Sequence, residues 1–228
     1  MSGCPARVVD LGLVPYTDAW RVQRSLVARR AAGREPDTLL LCQHPPVVTV
    51  GRSGHRAHVG PEVVANGVPV LAVERGGDVT YHGPGQLVGY PILSLEGGER
   101  DLHALLRRLE EAAIRTVAAF GIPAGRILGL TGVWVGDEKI CAIGIAVRRW
   151  VTFHGFALNV EMDLRPFGWI VPCGLRDRGV TSMARALGAP VEWSAVQGEY
   201  VRHFGGVFGR AMYPADPQAV LSAASEAC

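Results

Sequence analysis

The chain of 228 residues contains 23 basic and 21 acidic residues, a formal charge of only +2, and 48% apolar residues. This small charge, without basic runs interleaved with aromatic residues, argues against nucleic-acid binding. No apolar run reaches the roughly 18 to 20 residues of a membrane-spanning helix, and residues 1–10 lack the apolar stretch of an export signal. We expect residues 1–228 to form a single domain, because apolar residues are spread evenly and no linker-like segment interrupts them.

Five cysteines are scattered along the chain, and none of them forms a CxxC pair. They are Cys4, Cys42, Cys141, Cys173 and Cys228. An odd, dispersed set argues against a disulfide framework or a structural zinc site and indicates a reducing compartment. The sequence therefore favours a cytoplasmic protein.

The first half of the chain predicts short strands around one helix. RVVDLG is typical of a strand, and residues 16–33 predict an amphipathic helix that ends at Gly33. Further strands are predicted at DTLLLCQ and VVTVG, on either side of the helix-breaking HPP, and at residues 68–74. The last of these enters a glycine-rich loop, and QLVGYPIL leaves that loop as another strand.

The second half predicts a long helix followed by three consecutive strands. Residues 99–120 carry apolar residues at helical spacing, with Gly121 as a stop. TGVWVG, DEKICAIGIAVRRW and VTFHGFALNV predict strands, with a tight turn at GDE. A last helix is expected at residues 191–207, and a loose tail or one marginal helix after about residue 212. Without a regular βαβ alternation, these elements predict an α+β fold with a mixed, largely antiparallel sheet packed by helices.

Lys139 is the only lysine among the 23 basic residues. A GC-rich coding background that replaces surface lysine by arginine would explain the bias without any function. However, a lysine can act as a base once its pKa is lowered, whereas arginine stays protonated, so a site that needs a titratable amine would resist replacement. Lys139 is therefore a candidate functional residue, with chance survival as the alternative.

Cys173 lies between Pro172 and Gly174, in a setting that can present a thiol at the mouth of a pocket. The alternative is a small buried apolar residue, which is the usual role of a free cysteine. A nearby Lys139 would stabilise the thiolate and lower a thiol pKa that normally lies near 8.5. The two residues together predict a nucleophile and its proton partner.

The glycine-rich loop ERGGDVTYHGPGQ lacks the pattern of a phosphate loop and leads into a strand, so phosphate binding is weakly supported. Five histidines likewise give little support to a metal site, and His55 and His58, which lack the spacing of a zinc protease, are better explained as surface loop residues. The five are His44, His55, His58, His82 and His154.

Small residues alternate with larger ones in two predicted strands, CAIGIA and HGFALN. Small side chains on one face of adjacent strands leave an open slot above the sheet, unless a helix lies close on that face. A slot beside a thiol and an amine indicates an acyl chain as the ligand.

Six spaced motifs resemble those of the octanoyltransferases, the lipoyl(octanoyl) transferases of lipoate biosynthesis. They are HPPVVTVGR (44–52), RGGDVTYHGPGQLVGYPI (75–92), GVWVGDEKICAIGI (132–145), FHGFALNV (153–160), PCG (172–174) and VTSM (180–183). Together they cover roughly residues 35–205. The resemblance implies the catalytic-domain fold of the biotin and lipoate protein ligases.

The resemblance also implies a reaction that needs no metal and no cofactor. An octanoyl group passes from octanoyl-acyl carrier protein to Cys173 as a thioester, and then to a lysine ε-amine of a lipoyl domain, with Lys139 as the catalytic lysine. The implied acceptors are the lipoyl domains of 2-oxoacid dehydrogenases and the glycine cleavage H protein. We expect no nucleic-acid or membrane partner.

The same resemblance implies the residues of an acyl-binding site. They are Arg75, Gly76, Gly77, Asp78, Val79, Thr80, Tyr81 and His82 of the glycine-rich loop, and Ala142, Ile143, Gly144, Gly155, Phe156 and Ala157 of the two strands. His82 is expected near the reacting carbonyl, as an orienting group or a hydrogen-bond donor. Because each buried methylene contributes about 0.8 kcal/mol, we expect selectivity for the octanoyl chain to be real but leaky.

Partner docking and two alternative functions remain open from the sequence. Four arginines are candidates for steering acidic carrier domains, and the alternative is that they merely form a solvated surface. They are Arg148, Arg149, Arg176 and Arg178.

An ATP-dependent lipoate protein ligase would share the fold. However, this sequence has TYHGPGQ at the position where a ligase would be expected to have GGGAVYHD. A noncatalytic acyl-binding protein, with Cys173 in its core, is the other alternative.

Overall fold

The computed structural model describes residues 4–171 and 178–225. Its helices are α1 (Tyr16–Ala31), α2 (Pro61–Ala65), α3 (Leu102–Ala118), α4 (Met183–Leu187), α5 (Trp193–Phe208) and α6 (Pro217–Ser225). Its strands are β1 (Cys4–Leu13), β2 (Asp37–Gln43), β3 (Val47–Val50), β4 (Val70–Ala72), β5 (Val79–His82), β6 (Gln86–Ile92), β7 (Gly125–Ile127), β8 (Leu130–Val135), β9 (Glu138–Arg148), β10 (Val151–Asn159) and β11 (Arg210–Pro214). None of the described helices is both long and apolar enough to cross a membrane.

Eight strands form one mixed sheet in the order β11-β1-β2-β6-β10-β9-β8-β7. The pairs β11-β1 and β1-β2 are parallel, and the remaining pairs are antiparallel. The consecutive strands β8, β9 and β10 pair as hairpins, as their short turns require. The predicted α+β fold with a largely antiparallel sheet is confirmed.

Three shorter strands form a second sheet in the order β4-β3-β5. Local patterns in the sequence do not predict β5, which lies within the glycine-rich loop. The strand forms because Val79–His82 pairs antiparallel with Val47–Val50, about 30 positions earlier in the chain. The predicted strand at residues 68–74 is also shorter, Val70–Ala72.

Helices cover both faces of the large sheet. The apolar stripes of α3 and α5 pack on one face, where Tyr200 stacks on Phe156 with 4.0 Å between ring centroids. Gly89 makes this contact possible, since a Cβ at that position would lie 1.9 Å from the Phe156 ring. On the other face α1 buries Val22 and Leu26.

The segment beyond residue 212 is more ordered than the sequence indicated. The strand β11 continues the large sheet by pairing parallel with β1, and α6 follows it. Val220 of α6 is buried in the core formed with α1. Of the two alternatives that the sequence left open, a loose tail or one marginal helix, the described residues form the helix. The strand β11 adds backbone hydrogen bonds at the sheet edge that no local pattern reveals.

Asp37, at the start of β2, joins three distant parts of the fold. Its Oδ1 accepts hydrogen bonds from Arg30 Nε of α1 at 2.8 Å and from the Ser94 backbone N–H at 3.0 Å. Its Oδ2 accepts from Arg210 Nε of β11 at 3.0 Å. The carboxylate is buried, so its loss would leave two partly buried guanidinium groups without this partner.

We expect Asp37→Ala to lower the free energy of unfolding by about 3 kcal/mol, because breaking one side of a buried ion pair is strongly destabilising. Asp18→Ala is the matched control, since Asp18 pairs with Arg21 on the exposed surface of α1 and such pairs contribute about 0 to 1 kcal/mol. Urea unfolding of both variants measures the difference. An equal loss in the two variants would contradict this role of Asp37.

Candidate active site

A cavity of about 330 Å³ lies where the glycine-rich loop meets β9 and β10 of the large sheet. The predicted site residues that line it are Arg75, Gly76, Gly77, Asp78, Val79, Thr80, His82, Ala142, Ile143, Gly144, Gly155, Phe156 and Ala157. Lys139 lines the same cavity. Residues distant in the sequence therefore come together around one space.

Tyr81 is the predicted binding residue that lies elsewhere. Alternate residues of a strand point to opposite faces, so Tyr81 points away from its neighbours Thr80 and His82. Its ring packs edge-on against Phe167, with 5.7 Å between ring centroids, in the core under the small sheet. Tyr81 supports the loop from behind rather than lining the cavity.

The glycine-rich loop lies directly against β9. The Gly76 N–H donates to Ile145 O at 2.9 Å, and a Cβ on Gly144 would lie 2.6 Å from Gly76 O. A Cβ on Gly51 would similarly lie 2.3 Å from Gly77 O. The small residue at position 144 thus admits the loop backbone rather than leaving empty space, while Ala142 and Ala157 face the cavity.

Arg75 is buried in the loop and ordered by hydrogen bonds. Its Nη2 donates to Thr49 O at 2.8 Å and to Thr49 Oγ1 at 2.9 Å, and its Nη1 donates to Gly76 O at 3.0 Å. The guanidinium places a fixed positive charge in the cavity wall, because arginine does not deprotonate in proteins.

Asp78 links the glycine-rich loop, through His58, to Val171, two positions before Cys173. Its Oδ2 lies 2.6 Å from His58 Nδ1, and its Oδ1 accepts from the His55 N–H at 3.2 Å. The His58 carbonyl in turn accepts from the Val171 N–H at 2.8 Å. Cys173 itself lies outside the described residues, as does Arg176.

Backbone hydrogen bonds and side-chain contacts both fix the position of Lys139. Its N–H donates to Gly179 O at 2.9 Å, and its carbonyl accepts from the Thr181 N–H at 3.0 Å. Lys139 Nζ lies 4.7 Å from the centre of the Trp134 ring, a cation–π contact. Gly132, at φ 119°, leaves room for the lysine stem, because a Cβ there would lie 3.3 Å from Lys139 Cε.

Buried aromatic and histidine side chains line another part of the cavity, and His44 packs behind them. Tyr16 stacks on His82 with 5.6 Å between ring centroids, and its hydroxyl lies 3.3 Å from His154 Nδ1. His44 Nδ1 lies 2.7 Å from Val14 O, and Tyr90 Oη lies 2.7 Å from His44 Nε2. Because a carbonyl only accepts, His44 Nδ1 carries a proton and Tyr90 donates to Nε2.

Burial keeps these histidines neutral. It lowers the pKa of His44 to about 4 and the pKa of His82 to about 3, with nearby His44 and Arg75 adding to the effect on His82. Burial also lowers the pKa of His154. The cavity wall therefore combines a permanent cation with neutral imidazoles near pH 7.

The family model described as the lipoyl protein ligase A/B catalytic domain matches residues 15–205. The octanoyltransferase of Solibacter usitatus is 50% identical over 217 residues, which cover 94% of this chain and 97% of the relative. The octanoyltransferase of Thermosynechococcus vestitus is 50% identical over 205 residues, which cover 90% of each chain. The chain belongs to the octanoyltransferase family.

Solved structures confirm the fold of this octanoyltransferase family member. A lipoate-protein ligase A bound with ATP superposes with a TM-score of 0.80 at 20% identity, covering 97% of this chain and 93% of the other. A putative lipoate protein ligase from T. acidophilum with bound lipoic acid gives 0.78 at 18% identity, covering 97% and 94%. The biotin protein ligase from Aquifex aeolicus in complex with biotin and ATP gives 0.56 at 13% identity, covering 89% and 70%.

Several residues line the cavity besides those predicted from the sequence. Tyr16, Tyr90 and Asn159 line the cavity, as do Leu106, Leu130 and Val180. Tyr90 and Asn159 lie within the recognised motifs, so the motifs carried a signal that was not used. Tyr16 comes from α1, ahead of the motifs, and no local pattern indicates that it reaches His82.

The low pKa values of the buried histidines predict acid sensitivity between pH 7.5 and pH 5. In the unfolded chain, histidine side chains bind protons below about pH 6.5. In the folded protein, the pKa of His44 is about 4 and that of His82 is about 3, so both stay neutral to lower pH. Stability is therefore complete above pH 6.5 and decreases below it, by about 2 kcal/mol per histidine at pH 5. Urea unfolding at pH 7.5 and pH 5 measures this loss.

Two variants make this measurement specific. His82→Gln should remove about half of the loss assigned to these two histidines, whereas His103→Gln, at an exposed position on α3, should leave it unchanged. A free energy of unfolding that is equal at both pH values would show that the buried histidines bind protons as readily in the folded protein as in the unfolded chain.

Proposed function

We propose that this protein transfers an octanoyl group from octanoyl-acyl carrier protein to the lysine ε-amine of lipoyl domains, through a thioester on Cys173. The observation that carries the proposal is the 50% identity to octanoyltransferases over about nine tenths of the chain. The proposed acceptors include the lipoyl domains of 2-oxoacid dehydrogenases and the glycine cleavage H protein.

The cavity has the size and lining for a medium-length acyl chain. Its volume, about 330 Å³, is at the lower end of the roughly 300 to 1,000 Å³ of small-molecule sites. Val88, Ile143, Phe156 and Ala157 supply apolar walls. Burying the six methylenes of an octanoyl chain contributes about 5 kcal/mol, at about 0.8 kcal/mol each.

The described residues that flank Cys173 support its proposed role. Val171, two positions before it, is hydrogen-bonded to His58, which Asp78 of the cavity wall contacts. On the other side, Val180 lines the cavity and forms a parallel bridge with Lys139. We infer that Cys173 reacts beside Lys139, whose ammonium stabilises the thiolate.

The proposed reaction is acyl transfer in two balanced steps. The Cys173 thiolate attacks the octanoyl carbonyl, a carbon–sulfur bond forms, and the carrier thiolate leaves with a proton from the Lys139 ammonium. The acceptor amine then attacks the enzyme thioester and gives its proton to the neutral Lys139 amine. The carbon–sulfur bond breaks, and the Cys173 thiolate and Lys139 ammonium are restored.

Three of the four arginines proposed to steer the carrier domains are described by the structure, and they lie at two separate places. Arg178 contacts Asp137 and lies over the Trp134 ring, 5.6 Å from its centre, close to Lys139. Arg148, the last residue of β9, and the following Arg149 are exposed at the other end of that strand, about 30 Å from Lys139 at 3.3 Å per strand residue. Arg178 is therefore the better candidate for contacting a carrier domain docked at Lys139.

Intact-protein mass spectrometry tests the thioester. We mix the pure protein with octanoyl-acyl carrier protein, without ATP and without an acceptor. The wild type should gain one octanoyl group that hydroxylamine removes, and Cys173→Ser should gain none under the same conditions.

Lys139→Arg tests the acid–base role of the lysine. The arginine retains a positive charge but cannot give up its proton at pH 7, so transfer to a lipoyl domain should fall by at least about 100-fold.

Two results would contradict this proposal. Full turnover by Lys139→Arg would remove the acid–base role of Lys139. Absence of the adduct, with transfer only when ATP and free octanoate are supplied, would identify an acyl-adenylate ligase and remove the nucleophilic role of Cys173.

A further inference from the structure

Four buried side chains connect Arg75 to the carbonyl of Thr181 by consecutive hydrogen bonds. Arg75 Nη2 donates to Thr49 Oγ1 at 2.9 Å, and Thr49 Oγ1 lies 3.4 Å from His82 Nε2. His82 Nδ1 lies 2.8 Å from Gln86 Oε1. Gln86 Nε2 donates to Asn159 Oδ1 at 2.9 Å, and Asn159 Nδ2 donates to Thr181 O at 2.9 Å.

The two ends of this chain set the direction of every hydrogen bond in it. Thr181 O only accepts, so the Asn159 amide nitrogen faces it and the Asn159 oxygen faces Gln86. Gln86 must then donate through Nε2, which also contacts Tyr81 O at 3.3 Å, so its oxygen faces His82. At the other end Arg75 only donates, which leaves the Thr49 hydroxyl hydrogen for His82 Nε2.

This direction leaves one arrangement of protons for a neutral His82. Its Nδ1 carries the hydrogen and donates to Gln86, and its Nε2 has none and accepts from Thr49. His82 consequently has no N–H left for the reacting carbonyl. Of the two roles that the sequence analysis gave His82, an orienting group or a hydrogen-bond donor, this arrangement favours the orienting group.

This series of hydrogen bonds also joins the elements that surround the cavity. It begins in the glycine-rich loop and passes through β3, β5, β6 and β10. It ends at Thr181, whose own N–H donates to the carbonyl of Lys139. His82, Gln86, Asn159 and Thr181 are each at most 5% exposed, so water does not compete for these bonds.

We propose that Gln86 and Asn159 are positioning residues, which hold His82 as the Nδ1–H tautomer and fix the Lys139 strand relative to the Arg75 loop during acyl transfer. The effect on transfer rests on the proposed function, whereas the tautomer does not. Removal of either amide should release His82 and Lys139 from their relative positions. The rate of the chemical steps should then fall more than substrate binding.

The first measurement is the protonation of His82 in protein labelled with 15N at the histidine rings, assigned by comparison with His82→Gln. The wild type should show a proton on Nδ1 and none on Nε2 at pH 7. Four other groups also face His82 and are unchanged in the variants. They are the side chains of Tyr16, His44, His154 and Arg75. A proton on Nε2 in the wild type would overturn the proposal.

The second measurement uses Gln86→Glu, which keeps the size of the side chain. A carboxylate still accepts from His82 Nδ1 but cannot donate to Asn159, and its charge raises the pH at which His82 is protonated. We expect the His82 titration to move upward, and kcat for octanoyl transfer to fall about ten-fold with KM changed less than about three-fold. Asn159→Ala, which adds no charge, should lower kcat in the same way.

Gln43→Glu is the matched control, since its side-chain oxygen accepts from the Gly85 N–H outside this chain and a carboxylate can do the same. It should retain wild-type kcat and the wild-type His82 titration. Wild-type kcat in both Gln86→Glu and Asn159→Ala would overturn the positioning role. A wild type that transfers no octanoyl group would instead refute the proposed function, and the ring protonation would still decide the tautomer.

Discussion

The pairing of Lys139 with residues 179–181 is the constraint on which the rest of the site depends. Two backbone hydrogen bonds attach the strand that carries the amine to the segment that follows Cys173 in the sequence. The stem of the lysine runs over Gly132, and its ammonium lies over the Trp134 ring. A flexible side chain with four rotatable bonds is thereby restricted to one side of the cavity.

Buried polar groups in and behind the cavity wall lower the stability of the fold unless they are hydrogen-bonded. A buried guanidinium, neutral histidines and two amides replace apolar packing, and each needs hydrogen bonds to offset its loss of water. The hydrogen-bond chain from Arg75 to Thr181 supplies them for Arg75, His82 and the two amides. The same groups make the protein sensitive to acid, so the site and the stability of the fold depend on the same interactions.

Local patterns in the sequence predicted the elements whose formation is local. The helix α3 and the hairpin of β8 and β9 follow from apolar spacing and turn residues, and Lys139 stood out through composition alone. The strand β5 was missed because its partner β3 is distant in the sequence, and β11 was missed because it adds to the sheet edge beside β1. Motif resemblance brought the loop and strands to one site, but no pattern indicated Tyr16, which reaches the cavity from α1.

The pH dependence of cysteine alkylation tests most directly whether Lys139 activates Cys173. Peptide mass spectrometry measures iodoacetamide labelling of Cys173 from pH 5 to pH 9 in the wild type and in Lys139→Met, with exposed Cys4 as the internal reference. The account predicts that Cys173 of the wild type reacts with an apparent pKa well below the usual value near 8.5 and that Lys139→Met restores that value. The same pH dependence in both proteins would contradict it.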